Sequence, residues 1–246
     1  MASFVWGRDP EEAYVNPYEY DAQKQFVTEA RSVLDAYHAE LVSRRFTGAD
    51  KSLDKALWML FLDSLDALRD CLDCIEAKKH RLAGRLFRDA METMDLAEYF
   101  ASSSDKAKRH LEKWYENEVI EHSIAREALK LLRGEVAFEN RRQRHRELSK
   151  FTHRTYRALL KSYSLGANDW AVYDGLRGTT DLVLPHTIAA YMAILADRIL
   201  DFMERITRSG VIDQNINGDI WAKCLKEETV PRRFEPHTYK AAINTG

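Results

Sequence analysis

Between Arg141 and Lys161 the chain reads RRQRHRELSKFTHRTYRALLK, a basic run in which Arg146 precedes His153 by two helical turns. Arginine and histidine together can handle a phosphodiester. Histidine titrates near neutrality and can move a proton to or from a ribose 2′-hydroxyl or a leaving oxygen, while arginine offers paired hydrogen bonds to the developing phosphorane charge. Neither role needs a metal. At helical spacing Arg142, Arg146, Ser149, His153 and Arg157 share one sector, with Leu148, Phe151, Thr155 and Leu159 nearly opposite. Lys150 and Arg154 extend the basic surface. The spacing alone is common, since Arg31 and His38 repeat it, and a solvated basic face explains it equally well.

Other chemistry-bearing residues carry weaker signals. On a second helical segment Arg88, Glu92, Asp95 and Tyr99 follow i, i+4, i+7 and i+11, which reads as an exposed ion-pair ladder. The alternative places Arg88 and Glu92 within the bundle as a polar brace beside the basic helix, where a buried charge requires a partner. Ser149 belongs to the same support. Cys71 and Cys74 have redox or zinc-type spacing but lie inside an apolar helical stripe, so they read as small core residues. Glu118 and His122 lie one turn apart, yet a carboxylate metal centre needs a second such pair, and none is found. No metal or cofactor is expected. The chain also lacks a phosphate-binding Gly-rich loop, a dinucleotide fingerprint and a nucleophile elbow, which removes the usual ATP and acyl-transfer chemistries.

These residues must be positioned by helices. Across 246 residues there are only 10 Gly and 5 Pro, a scarcity of turn formers that favours long helices over a many-stranded sheet. The formal net charge is −2, whereas residues 139–161 hold eight Lys or Arg against two Glu, so charge is segregated and any nucleic-acid contact rests on a patch. Three cysteines cannot form a disulfide framework, no leader-like N-terminal segment is evident, and no apolar run could span a bilayer. A cytoplasmic protein away from membranes is therefore expected.

The expected fold is all-α, an antiparallel bundle of about six helices with a long loop and an extended C-terminal tail. Residues 1–20 read as an arm, 21–207 as the bundle and 208–246 as the tail. Apolar positions predict helices at about 22–46, 53–76, 82–100, 136–162 and 186–206, with one bent or two short helices over 105–133 ended by Gly134. The 53–76 helix, with its broad stripe from Leu57 to Ile75, is expected at the bundle centre. The 163–184 loop holds Gly166, Gly175 and Gly178 with Trp170 and Tyr173, and a loop of that length is commonly functional, for instance as a small-ligand or nucleotide sensor.

Leu86, Arg88 and Glu92 on one helix, followed by Leu148, Ser149 and His153 on another, resemble a bacterial helical family related to the HEPN superfamily (higher eukaryotes and prokaryotes nucleotide-binding domains). The resemblance covers about residues 55–205. It implies a homodimer whose paired helices build a composite, metal-independent endoribonuclease site of the kind used in toxin–antitoxin or antiphage systems, with an antitoxin or defence protein as partner. In that frame Arg146 is the phosphate clamp, His153 the acid or base, and Arg142, Lys150, Arg154 and Arg157 the RNA-binding surface. Where such motifs usually have Asn, Asp or His after the arginine, this chain has Glu147. The contrasting expectation is a non-catalytic interaction or scaffold module that binds an acidic partner or nucleic acid through the same face.

Overall fold

A computed structural model of the chain describes residues 20–77, 79–153, 163–165, 171–173 and 184–224. The fold is all-α, with eight helices among the described residues: α1 (Tyr20–Ser43), α2 (Leu53–Glu76), α3 (His80–Ala101), α4 (Asp105–Tyr115), α5 (His122–Arg133), α6 (Glu135–Thr152), α7 (Leu184–Arg208) and α8 (Gln214–Cys224). The 105–133 segment is two short helices rather than one bent one, broken at Asn117, whose φ of 64° lies in the left-handed region, and the residues after 208 include the short helix α8. That helix packs on α1 and α7, where the buried Tyr37 hydroxyl donates to Asn217 Oδ1 and Ile220 is buried. The arm at 1–19 and residues 225–246 lie outside the described residues. Within the 163–184 loop, Tyr163–Leu165 and Ala171–Tyr173 pair as a short antiparallel ribbon, β1 and β2.

Each boundary has a local cause. Asp50 accepts the Ser52 N–H, and the Ser52 hydroxyl accepts the Lys55 N–H, capping α2. Ser104 caps α4 in the same way through Ala107 N. Between α5 and α6 a single residue, Gly134, turns the chain at φ 85°, a conformation that a Cβ disfavours. The first helix ends at Ser43, short of the expected Phe46, and Lys55 Nζ ties the following loop by donating to the carbonyls of Thr47, Gly48 and Asp50.

Contacts fix the helix directions. Between α2 and α3, Cys71 meets Ala83 and Asp63 meets Thr93, so one number falls as the other rises and the pair is antiparallel. The same test makes α1 antiparallel to α2, through Arg31 with Asp73 and Asp35 with Arg69. It makes α6 antiparallel to α3 as well, through His145 with Glu92 and Arg141 with Asp95. In contrast α7 runs parallel to α3, since Phe87 stacks on Tyr191 and Glu98 meets Arg205. Likewise α5 is parallel to α3, through Glu92 with His122 and Glu98 with Arg133, which is why α4 is needed as a return.

The central element is α3, which packs against α2, α4, α5, α6 and α7. The α2 stripe from Leu57 to Ile75 is buried in the core as expected, while Met59, Asp63, Asp66, Asp70 and Asp73 form its exposed side. Small residues let neighbours approach α3 closely, with Ala83, Ala90 and Ala97 buried beside Phe87, Met91, Met94 and Phe100. Cys71 and Cys74 are buried free thiols in the α2 stripe. Phe202 of α7 meets Phe61 and Tyr37 edge to face at centroid distances of 5.9 and 5.5 Å, joining α1, α2 and α7 in one core. No helix among the described residues is long and apolar enough to cross a membrane.

Candidate functional site

Two sites compete for the chemistry, and both involve α6. The first is its outer edge. Arg146 is exposed, and so is His153, which caps the helix C-terminus and donates its backbone N–H to the Ser149 carbonyl at 3.0 Å. The expected helix to Ser162 is thus described only to Thr152, and Arg154 and Arg157 lie outside the described residues. Arg142 pairs with Glu139 at 3.2 Å, and Lys150 with Glu147 at 2.6 Å. Arg144 reaches Asp197 of α7 at 3.2 Å, and Arg141 leaves the surface entirely. The basic run is therefore more neutral than its composition implied.

The inner side of α6 faces a polar seam on α3. There Asp95, Arg141, Asp201 and Arg205 form a closed ring of alternating charge. Arg141 donates Nε to Asp95 at 2.8 Å and Nη1 to Asp201 at 2.8 Å; Arg205 donates Nε to Asp201 at 2.8 Å and Nη1 to Asp95 at 3.0 Å. The two arginines also donate to the Met91 and Met94 carbonyls. All four side chains are at least nine-tenths buried. Glu98 extends the ring by binding Arg205 and Arg133. Burial pushes the Asp201 carboxyl up, but the charges of Arg205, Arg141 and Arg198 outweigh it and hold the group well below the usual carboxylate range. With each arginine bound to both aspartates, this ring is a structural lock between α3, α6 and α7.

One helical turn toward the start of α3 the seam opens. Glu92, only 9% exposed, receives Arg88 Nε at 2.7 Å and His145 Nε2 at 2.7 Å on Oε1, and meets His122 Nε2 at 3.0 Å through Oε2. Three helices thus contribute to one carboxylate. Burial pushes Glu92 up, while the Arg88 and His145 hydrogen bonds and the His122 charge bring it below its ordinary value. Burial lowers the His145 imidazole, and the charges of Arg126 and Arg88 add to that against the opposing Glu92 contact. Ser149 donates its hydroxyl to the His145 carbonyl at 2.7 Å and lies 3.4 Å from His145 Nδ1. The reading of Arg88, Glu92, Asp95 and Tyr99 as an exposed ladder is overturned, because Glu92, Asp95 and Tyr99 are all buried against α5, α6, α7 or His110 of α4. Among the described residues no group of three or more His, Cys, Asp or Glu is arranged to hold a metal ion. Glu118 pairs with Lys113 rather than joining His122.

His122, Asp95, His145, Asp201 and Arg205 were missed as site residues by sequence reasoning. A signal existed: Arg198, Asp201 and Arg205 recur at i, i+3 and i+7 among apolar positions of α7, a charged line where a core stripe should be uninterrupted. No family model, no curated protein and no solved structure matches this chain.

Proposed function

We propose that this chain binds RNA along the outer edge of α6 and cleaves it without a metal, in the manner of a HEPN-type endoribonuclease, with Arg146 as phosphate clamp and His153 as acid or base. The observation that supports this most is the exposure of both residues on one helix, with Arg146 outside every ion pair among the described residues. Seven residues of α-helix separate the two by about 10 Å of rise, too far for one phosphate to meet both side chains squarely. A composite site between two copies of the chain answers that distance, and an antitoxin or defence protein would then regulate access to it.

The test is incubation with RNA in EDTA for wild type, His153→Ala and Arg146→Ala. Each substitution should slow cleavage about a hundredfold or more; cleavage unchanged by either one rejects the assigned roles. A second reading, a non-catalytic module that binds an acidic partner or nucleic acid, is favoured by the Arg142–Glu139 and Lys150–Glu147 pairs, which already answer two of the three exposed basic residues described on α6. Under that reading RNA or an acidic peptide binds and is released intact.

A further inference from the structure

We infer that His122, held in place by the buried Glu92 carboxylate, is a second proton-transfer residue of this protein, with Arg126 beside it to receive a substrate phosphate. This rests on the phosphodiester reading above. Three side chains meet Glu92, Arg88 and His145 through hydrogen bonds and His122 at ion-pair distance, and they differ in access: Arg88 and His145 are largely covered, at 21% and 19% side-chain exposure, whereas His122 is 55% exposed. His122 is therefore the outlet of the cluster. His122 turns Nε2 toward Glu92 Oε2 at ion-pair distance, which leaves Nδ1 as the nitrogen available to a general base. His153 has no such orienting contact among the described residues.

Arg126 follows His122 by one turn of α5, about 6 Å along the axis. It is half-buried, and no carboxylate among the described residues is paired with it. A half-buried guanidinium without a carboxylate, one turn from an imidazole that meets one, provides an anion contact next to a base. Glu92 and Asp89 of α3 are the charged groups that interact with His122, and Arg88 and His145 share Glu92 with it.

In the reaction the 2′-hydroxyl proton passes to His122 Nδ1 as the 2′ oxygen bonds to phosphorus. The bond from phosphorus to the 5′ oxygen breaks with its electron pair, that oxygen takes a proton from water, and His122 neutralises the resulting hydroxide. The products are a 2′,3′-cyclic phosphate and a 5′-hydroxyl. Glu92 acts here as a positioning residue.

The experiment is cleavage of a short RNA in EDTA, with a 2′-deoxy control, by wild type, His122→Ala, Arg126→Ala and His153→Ala. His122→Ala should lose at least about a hundredfold in rate and recover part of it on addition of free imidazole, a rescue that a purely structural histidine would not show. Arg126→Ala should raise KM more than it lowers kcat. If wild type cleaves and His122→Ala cleaves equally well, the His122 role falls while the phosphodiester reading stands. If wild type leaves RNA intact, both fall.

Discussion

Arg141 and Arg142 are neighbours in sequence and opposites in circumstance. Arg141 points into the bundle, where two aspartates and a carbonyl from two other helices satisfy its guanidinium. Arg142 points outward to Glu139 on its own helix, in water. The same contrast separates the two sides of α6 generally: the inner side organises the fold through charges withdrawn from solvent, and the outer side carries charges that solvent screens. Charge density alone does not say which side does the work. A buried ion pair is costly to break because the survivor is left unsolvated, whereas an exposed pair competes with water on nearly equal terms.

The sharpest way to break that comparison is to remove one member of each pair. Asp201→Asn should destabilise the protein by about 3–5 kcal/mol, because Arg141 and Arg205 lose a shared counter-charge, while Arg142→Ala should cost less than about 1 kcal/mol. Urea unfolding of the two variants measures the difference, and equal losses would mean that the ring is no lock.

Acid provides the next largest effect. The folded Asp201 carboxyl lies below its unfolded value near 3.8, so its contribution is present above that value and is lost as pH falls below it through the folded value. Glu92 follows the same sign from an unfolded value near 4.5. His145 is also lowered in the folded chain, from an unfolded value of 6.5, so the unfolded imidazole takes a proton first and stability begins to decline as pH drops below 6.5. Thermal melts from pH 8 to 3 should show a shallow loss near 6 and a steep one below 4.5; a flat profile would contradict the inner-side assignment. Smallest of all, Arg146→Ala should leave the melting temperature unchanged while reducing the slope of log binding constant against log salt for single-stranded RNA by about 0.7. A changed melting temperature with an unchanged slope would place Arg146 on the wrong side of the comparison.

Much of the fold was legible because local periodicity reports burial directly. The stripe from Leu57 to Ile75 and the break at Gly134 follow from rules that operate within a few residues. The seam was not legible in the same way. Arg141 was counted with the basic run because arginine is seldom buried unless paired, and its partners Asp95 and Asp201 are 46 and 60 residues distant. Periodicity has no access to such separations. Glu92 and Arg88 were visible as an i, i+4 pair, but the histidines that complete the cluster come from α5 and α6, and His145 was hidden among four arginines.

The closing of the charge ring has a consequence for synthesis. Arg205 lies 110 residues after Asp95, so at ribosomal speeds the α3 carboxylates wait roughly 5 to 20 s before their last partner is translated. Until α7 emerges, Asp95 and Glu98 lack their shared arginine, and the apolar surface that Phe202 will cover on α1 and α2 stays open. The ring that joins α3 to α7, and the part of the core that Phe202 closes over α1 and α2, therefore form only after α7 has been made.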